Sequence, residues 1–389
     1  MEKTATFQQS PSLLNLFLFF LRFGLTAFGG PAMIAYIRQK VVEEKKWLDE
    51  DGFRSGIAIC QSIPGATAMQ MATYVGLRKA GVLGALVSFL GFTLPPFALM
   101  ITLSALYMKT HNLPQVISVF NGLQVIIVAI IANATLAIGT VSLKDWQGAV
   151  IALLSALMFA LNVHPIVVVV FAGLLGVAFY ARVSFANQGK KEEESFSFRP
   201  LFLIIIFTFL LFTLLFFYNR SLFGLGILMM RIDLFAFGGG FASLPIMFHE
   251  VVNLRQWMDG ATFLNGIALG QVTPGPIVIT ATFIGYYLYG FWGGLVATFS
   301  IFLPSFLLVV GITPYFDCLR SSPYFNRAIA GAICAFVGLL MSATLRFAAD
   351  IPWDILRITL VVGAFFALAK KVDLLWVLLI GTIISVLFL

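Results

Sequence analysis

The second half of the chain repeats the first half at an offset of 209 or 210 residues. Short motifs rich in glycine and proline recur in the same order: Phe-Gly-Gly at 28–30 and 237–239, Pro-Gly at 64–65 and 274–275, and Leu-Pro at 94–95 and 303–304. In each copy a proline lies inside an apolar segment, where it interrupts a helix. The chain is therefore one module used twice, with matching breaks in both copies.

Hydrophobicity assigns this module to a lipid bilayer. Of the 389 residues, 60% are hydrophobic and 11% are charged, so the chain is more apolar than a soluble protein with an ordinary core. About 20 helical residues span ~30 Å of hydrocarbon. Apolar runs that could serve lie at 12–29, 80–108, 115–140, 146–181, 201–219, 221–237, 290–312, 326–345 and 355–389. They lack the alternation of barrel strands, which predicts an all-α, multi-pass membrane protein, expected in the plasma membrane.

Composition also divides the chain into segments. We predict an N-terminal tail at 1–11, a first module at 12–182, a polar linker at 183–200, an extra linking helix at 201–219 and a second module at 221–389. The extra helix matters because one additional crossing reverses the side from which the second module starts.

The number of crossings decides how the modules are oriented. Six crossings per module plus the extra helix make thirteen and turn the second module upside down. If 55–75 is instead a re-entrant pair of half-helices around Pro64, each module crosses five times and the modules lie parallel. The loop 38–54 carries five basic residues and its repeat, 249–262, carries one, which favours opposite sides. We therefore expect inverted repeats, with the side of the N-terminus left open.

Several other classes of protein are disfavoured. The three cysteines, Cys60, Cys318 and Cys334, show no paired spacing, so we expect no disulfide framework, no metal and no other cofactor. The net charge of +7 comes from basic residues scattered among loops, which is not typical of nucleic-acid binding. The apolar segments hold almost no histidine or carboxylate apart from Asp233, which argues against an enzyme.

The Pro-Gly motifs are the main candidates for a binding site. A helix that restarts after such a break presents free backbone N–H groups and the positive end of its dipole, which suits an anion. Irregular backbone at membrane depth lines a cavity or is buried in protein, so a packing kink is the alternative. The candidates are Gln61, Ser62, Pro64, Gly65, Gln271, Thr273, Pro274 and Gly275, with Gln70 on the restarted helix.

The Phe-Gly-Gly motifs end the first helix of each module. Glycine permits close approach of another backbone or of a ligand, so these ends could meet the Pro-Gly breaks. Close packing between helices is an equally good explanation. The residues concerned are Gly29, Gly30, Gly238 and Gly239.

Charged residues inside the apolar segments complete the candidate site. Arg22 and Arg231 lie at equivalent positions, where they could clamp a tetrahedral dianion together or reach the membrane surface separately. Asp233 replaces Gly24 of the first module and is the best candidate for proton coupling, unless it only neutralises an arginine. Glu250 lies near a loop and is expected to be a solvated charge.

These motifs resemble the chromate transporter family in its long, two-module form. The resemblance covers nearly the whole chain and rests on GLTAFGGP at 24–31, Trp47, CQSIPGATAMQMATYVG at 60–76, Leu94-Pro95, AFGGG at 236–240, Trp257, GQVTPGP at 270–276 and Leu303-Pro304. It implies an oxyanion carrier that exports chromate, with sulfate as the related dianion, and two oppositely oriented halves. The departures from the family pattern are Lys40, where glutamate is frequent, and Ala66 and Gly240, where proline is frequent.

The sequence thus predicts a secondary active transporter of a tetrahedral oxyanion, either chromate in efflux or sulfate. It would work by alternating access between the repeats, around a site where they meet. The alternatives are a passive anion channel and, with less support, a membrane-embedded enzyme. The expected partners are the anion and the lipid bilayer, with no nucleic acid, and a homodimer is left open.

Overall fold

The computed structural model describes residues 11–26, 28, 30–180 and 199–388. Most of the predicted polar linker and most of the predicted N-terminal tail lie outside these residues, and 199–200 of the linker belong to α8 instead. Within them the chain forms no strand and sixteen α-helices: α1 (Leu13–Thr26), α2 (Gly30–Arg38), α3 (Glu50–Ser62), α4 (Thr67–Thr110), α5 (Pro114–Ser142), α6 (Trp146–Ala160), α7 (Pro165–Phe179), α8 (Arg199–Tyr218), α9 (Arg220–Leu234), α10 (Ser243–Phe248), α11 (Gly260–Val272), α12 (Thr280–Ile312), α13 (Phe316–Ser321), α14 (Pro323–Ala349), α15 (Ile355–Ala369) and α16 (Leu374–Phe388).

The helices fall into two matching sets. We call α1 to α7 the first repeat and α9 to α16 the second repeat, with α8 between them. In both sets the second helix continues into a π-helical turn, at Gln39–Glu44 and at His249–Leu254. Because π-helical turns are rare, their recurrence at equivalent positions shows that the repeats are copies in structure as well as in sequence.

Helices α4 and α12 are each two helices joined by a sharp turn. The backbone leaves the helical conformation at Ala80-Gly81 and at Tyr289-Gly290. A Cβ at Gly76 would overlap the carbonyl oxygen of Gly84, although a straight helix would hold these residues about 12 Å apart. The chain therefore reverses at each turn, and we name the limbs α4a (67–80), α4b (81–110), α12a (280–289) and α12b (290–312).

The Pro-Gly motifs form the tips of helical hairpins. The Tyr74 hydroxyl on α4a donates a hydrogen bond to the carbonyl oxygen of Gly52 on α3 (3.1 Å), which places the two limbs side by side. Pro64 and Gly65 lie at the tip, and α11 and α12a form the same hairpin in the second repeat. The re-entrant interpretation of 55–75 is therefore the correct one.

The Phe-Gly-Gly motifs also lie at the tips of hairpins. On α1 and α2, the rings of Phe23 and Tyr36 stack with their centroids 5.3 Å apart. On the equivalent pair, α9 and the turn that follows α10, Arg231 contacts Glu250. Each repeat therefore begins with two hairpins, one with a Phe-Gly-Gly tip and one with a Pro-Gly tip.

The equivalent helices α4b and α12b run antiparallel against each other. The ring centroids of Phe89 and Phe306 are 5.1 Å apart, and those of Phe97 and Phe299 are 6.2 Å apart. Residue numbers rise along one helix as they fall along the other. Because the same helix of each copy crosses in the opposite direction, the repeats are inverted, as predicted.

The single crossing at 55–75, on which the predicted count of thirteen depends, is not formed, because these residues belong to two limbs of a hairpin. In the described part of the chain, five helices are long and apolar enough to cross a membrane, namely α4, α5, α8, α12 and α14. The other apolar helices have 14 or 15 residues, about 22 Å in length, and each pairs with a neighbour in the chain as a hairpin: α1 with α2, α6 with α7 and α15 with α16. A hairpin returns the chain to the side that it left, so α8 alone inverts the second repeat.

The repeats are interlocked through their C-terminal helices. Helix α14 of the second repeat packs against α6 and α7 of the first, and α5 of the first repeat packs against α15 and α16 of the second. Helix α8 lies outside this arrangement, with Leu201 as its one buried residue, and packs against α9. The two Pro-Gly tips, at 63–66 and 273–276, are buried between the two repeats.

Candidate functional site

The Pro-Gly tip of the first repeat bonds directly to the second repeat. The backbone N–H of Gly65 donates to the carbonyl oxygen of Ala236 (3.0 Å), and the N–H of Ala66 donates to Ser305 Oγ (3.2 Å). Gly65 has a φ of 118°, and a Cβ at this position would overlap Ser305 Oγ, so glycine is required. Two of the N–H groups predicted to be free for an anion are thus already bonded within the protein.

Asp233 lies beside this tip and is fully buried. Ser305 donates to its Oδ2 from both the backbone N–H (3.0 Å) and the hydroxyl (2.8 Å), so its partner is a serine and not an arginine. Its Oδ1 has no hydrogen-bond partner in the described residues and lies 3.2 Å from where a Cβ of Gly65 would be. In the first repeat Gly24 holds the equivalent position against Pro95, so one repeat alone carries this carboxylate.

Gln70 adds a second unpaired acceptor to the same place. It is fully buried, and its Nε2 donates to the carbonyl oxygen of Pro64 (2.5 Å), while its Oε1 has no partner in the described chain. Its Nε2 would lie 2.8 Å from a Cβ at Gly65, so Gln70 and Asp233 flank one glycine. An unpaired buried acceptor costs about 1–3 kcal/mol, and an isolated buried carboxylate costs far more. The pair therefore suits a proton or a small cation and repels an anion.

The Pro-Gly tip of the second repeat meets the equivalent surface of the first. Gly275 has a φ of 114°, and a Cβ there would lie 2.9 Å from the Cβ of Pro96, the counterpart of Ser305. Gln271 is buried, and its Nε2 is unpaired among the residues described. The Thr273 hydroxyl donates to a carbonyl of its own helix (3.0 Å). This tip therefore offers an unpaired donor and no carboxylate.

The remaining predicted residues lie at the edges of the tips. The Ser62 hydroxyl donates to the carbonyl oxygen of Ala58 within α3 (2.7 Å), and Gln61 is exposed. Gly29 lies outside the described residues. Pro64 and Pro274 lie at the two Pro-Gly tips, and Gly30 lies at the start of α2. Gly238 and Gly239, with φ of 94° and 98°, lie ahead of α10.

The structure separates the two arginines. Arg22 is exposed and lines a cleft between α1 and α2, whereas Arg231 contacts the carboxylate of Glu250. Each arginine lies about 9 Å along its helix from its Phe-Gly-Gly tip. The hairpins enter from opposite faces because the repeats are inverted, so the predicted clamp shared by both arginines is not formed.

Glu250 is the centre of a charged cluster between the repeats. Its side chain is fully buried, Oε1 accepts from His164 Nε2 (2.8 Å) and from Arg231, and Oε2 accepts from Arg255. Burial opposes ionisation, but the hydrogen bond from His164 and the charges of Arg255 and Arg231 outweigh it and hold the pKa of Glu250 below its ordinary value. The expectation of a solvated carboxylate is wrong because α10 packs against α7 and α14 and encloses it.

The equivalent region of the first repeat is an open cleft of about 870 Å³ between α1 and α2. Its charged lining consists of Arg22, Lys40, Glu44 and Lys45. Lys40 pairs with Glu44 (2.7 Å). The side chains of Arg22 and Lys45 have no hydrogen-bond or ion-pair partner in the part of the chain that is described. The cleft therefore presents two unpaired cations to the solvent.

Sequence reasoning missed Ser305 and misjudged Glu250. The signal for Ser305 is a pair of differences between the repeats: Gly24 becomes Asp233, and Pro96 becomes Ser305. Asp233 and Ser305 bond to each other, so the two positions that change together are in contact. Differences between repeats were therefore as informative as their shared motifs.

Comparison with known proteins agrees with the resemblance in the sequence. The family model described as "Chromate transporter" matches residues 14–177 and 223–386. An uncharacterized transporter of Methanocaldococcus jannaschii is 40% identical over 385 residues, which cover 98% of this chain and 96% of that protein. The chromate transport protein of Cupriavidus metallidurans is 29% identical over 90% of this chain and 87% of its own, and a probable chromate transport protein of Synechococcus elongatus is 28% identical over 97% and 96%. No solved structure matches the chain significantly.

Proposed function

The chain belongs to the chromate transporter family, and from this premise we propose that it is a secondary active carrier of a tetrahedral oxyanion. Chromate is the first candidate because two of the relatives are named chromate transport proteins. Sulfate is the second candidate because it is a dianion of the same shape. The proposed location is the plasma membrane, where a negative interior expels anions with about 2.3 kcal/mol per charge for each 100 mV.

One observation supports a carrier above all: the two equivalent hairpins differ within a single structure. The α1–α2 hairpin leaves an open cleft, and the α9–α10 hairpin is closed around Glu250. Because the repeats are inverted, these two regions face opposite sides of the membrane. A carrier that alternates between two rearranged repeats has one side open while the other is closed.

In the proposed cycle the two hairpins exchange their open and closed states around the buried Pro-Gly tips. The anion would enter beside Arg22 and pass the tips, where Gln61 and Gln271 supply neutral donors. Asp233 would be the coupling group, because protonation removes a buried negative charge that otherwise repels the anion. Energy would come from the membrane potential or from a proton gradient.

The test is uptake of labelled chromate and labelled sulfate into proteoliposomes, with and without an imposed potential or pH gradient. The wild type is compared with Asp233→Asn, and with Asp354→Asn as the matched control. Asp354 is an exposed N-cap of α15, and asparagine caps a helix as well as aspartate.

The expected result is saturable flux with counterflow in the wild type and in Asp354→Asn. Asp233→Asn is expected to lose the dependence on the pH gradient. Flux without saturation or counterflow would identify a passive channel. If neither anion moves under any gradient, the proposed substrate class is wrong.

A further inference from the structure

The second repeat contains its own example of how this fold holds an anion. Arg231 and Arg255 both bond to the carboxylate of Glu250, one arginine on each oxygen. Arg231 lies on α9 and Arg255 follows the π-helical turn, so the anion is gripped from both limbs of the hairpin. The hairpin is therefore built to close its two cations around two oxygens of one negatively charged group.

The first repeat keeps the two cations and replaces the carboxylate. At the offset of 209 or 210 residues, Arg22 corresponds to Arg231, Lys45 to Arg255 and Lys40 to Glu250. Lys40 pairs with Glu44, so two cations are left over. We propose that this cleft binds a divalent oxyanion between Arg22 and Lys45, in the place that the Glu250 carboxylate takes in the second repeat. The inference rests on the proposed function and names a docking site for its substrate.

The other groups in the cleft fit such a ligand. Asn15, Tyr36 and Trp47 also line it and can donate neutral hydrogen bonds, and Phe19 and Phe23 provide an apolar wall that strengthens charge pairing. The Asp233 carboxylate, by contrast, lies beside the buried Pro-Gly tip of the first repeat and is absent from this lining. An anion bound in the cleft is therefore kept away from the Asp233 carboxylate.

Equilibrium binding of labelled sulfate to the purified full-length protein tests the site without depending on transport. Arg22→Gln and Lys45→Gln each remove one charge-assisted contact, and each is expected to weaken binding about tenfold. Lys40→Glu supplies the carboxylate of the second repeat, and it is expected to abolish binding because Arg22 and Lys45 would pair with it. Melting temperature and gel-filtration profile establish that each variant is folded.

Lys46→Gln is the matched control. It removes one positive charge from the same loop, but Lys46 is not part of the cleft lining. Its counterpart in the second repeat is Gln256, and both residues have a φ of 51°, so the backbone accommodates glutamine. Binding to Lys46→Gln is expected to stay within twofold of the wild type. An equal loss in Lys46→Gln and Lys45→Gln would overturn the site, since it would mean that only the net charge of the loop matters.

A lipid headgroup phosphate offers the same chemistry as sulfate, so the measurement is repeated in nanodiscs of phosphatidylcholine and of phosphatidylglycerol. Sulfate binding that is equal in both supports a site for a soluble oxyanion. Binding that disappears in phosphatidylglycerol assigns the cleft to lipid and overturns the proposal. Saturable transport together with binding that no cleft variant changes would also overturn it, while leaving the proposed carrier intact.

Discussion

The two Phe-Gly-Gly hairpins are copies of one motif, yet they are buried to different degrees. All six residues of α10 are buried, whereas Ala35 and Tyr36 on α2 are exposed. Phe248 on α10 packs edge-on against Phe347 of α14, with centroids 4.8 Å apart. The counterpart of Phe248 is Arg38, which forms an ion pair at the surface instead. The shared glycines and tryptophans determine the hairpin, and the residues that differ determine whether it docks.

The partners of the two hairpins differ in the sign of their charge. Glu250 bonds to His164, which caps the start of α7. Their counterparts are Lys40 and Asp373, and Asp373 precedes α16 in the same way. A docked first hairpin would therefore place a lysine opposite an aspartate, the reverse of the pair seen in the second repeat. The comparison predicts that each hairpin, when docked, has its own pair of polar or charged side chains, and only the pair of the second repeat is formed here.

The second hairpin should change most when Glu250 is replaced by lysine, the residue at the equivalent position of the first hairpin. Glu250→Lys would bury a cation beside Arg231, Arg255 and His164. An uncompensated buried charge of this kind costs about 3–5 kcal/mol, so the second hairpin is expected to open. The measurement is maleimide labelling of a cysteine introduced at Ser243, which is fully buried in α10, in a Cys318→Ser background because Cys318 is exposed.

Labelling at position 243 is expected to be slow in the otherwise unchanged protein and fast with Glu250→Lys. Glu43→Lys is the control, because it makes the same change at an exposed position. Slow labelling with Glu250→Lys in a folded protein would show that apolar packing of α10, and not the ionic cluster, holds the hairpin closed.

Cross-linking tests whether the first hairpin has the matching latch. A protein with Lys40→Cys and Asp373→Cys is expected to form a disulfide only when the second hairpin is opened by Glu250→Lys. A protein with His164→Cys and Glu250→Cys is expected to be joined readily by a bismaleimide, which replaces the length of the two side chains that are in contact here. If the 40–373 bridge forms equally well without Glu250→Lys, the two hairpins do not alternate.

Much of this fold was predictable because it depends on local breaks and on duplication. Pro64-Gly65 and its copy identified the broken segments, and the extra helix α8 was recognised from its hydropathy. The number of crossings was not predictable, because hydropathy does not show whether 55–75 crosses once or folds back at Pro64-Gly65, which contacts such as that between Tyr74 and Gly52 decide. Hydropathy measures the length of a run and does not detect a reversal within it.

The candidate site was harder to predict than the fold because it depends on contacts between repeats. Asp233 was recognised as unusual from sequence, but its partner Ser305 is 72 residues away. Glu250 looked like a loop residue because its burial comes from α7 and α14, which lie elsewhere in the sequence. Arg22 and Arg231 occupy equivalent positions on equivalent helices, which suggested that they bind one anion together. The inversion of the repeats places them on opposite sides instead.

Acid should destabilise the closed form of the second hairpin relative to its open form. Burial and the neighbouring charges of His164 and Arg346 hold the pKa of His249 below its ordinary value of 6.5, against the pull of Glu250. An opened hairpin exposes His249 and binds the proton more readily, so closure loses stability as the pH falls below about 6.5. Glu250, whose pKa is also lowered, contributes a further loss only below its ordinary value of 4.5.

Labelling at position 243 as a function of pH measures this loss. Because less of the reactive thiolate is present in acid, each rate is divided by the rate of the same cysteine in the unfolded protein at the same pH. This ratio is expected to rise from pH 6.5 downwards in the wild-type background, and His249→Gln should remove that first rise while leaving the one below pH 4.5. A rise that survives His249→Gln unchanged would assign the first step to another group.

A smaller change is expected when Glu44, the ion-pair partner of Lys40 in the open cleft, is replaced. The side chains of Lys40 and Glu44 are 29% and 44% exposed, and exposed pairs at this spacing are worth less than about 1 kcal/mol. Glu44→Gln should therefore leave the melting temperature nearly unchanged. It frees Lys40 as a third cation, so sulfate affinity is expected to rise about two- to threefold. Glu43→Gln is the control, because Glu43 pairs with Arg38 and does not line the cleft; an equal rise in both variants would assign the gain to net charge and leave Lys40 without a part in anion binding.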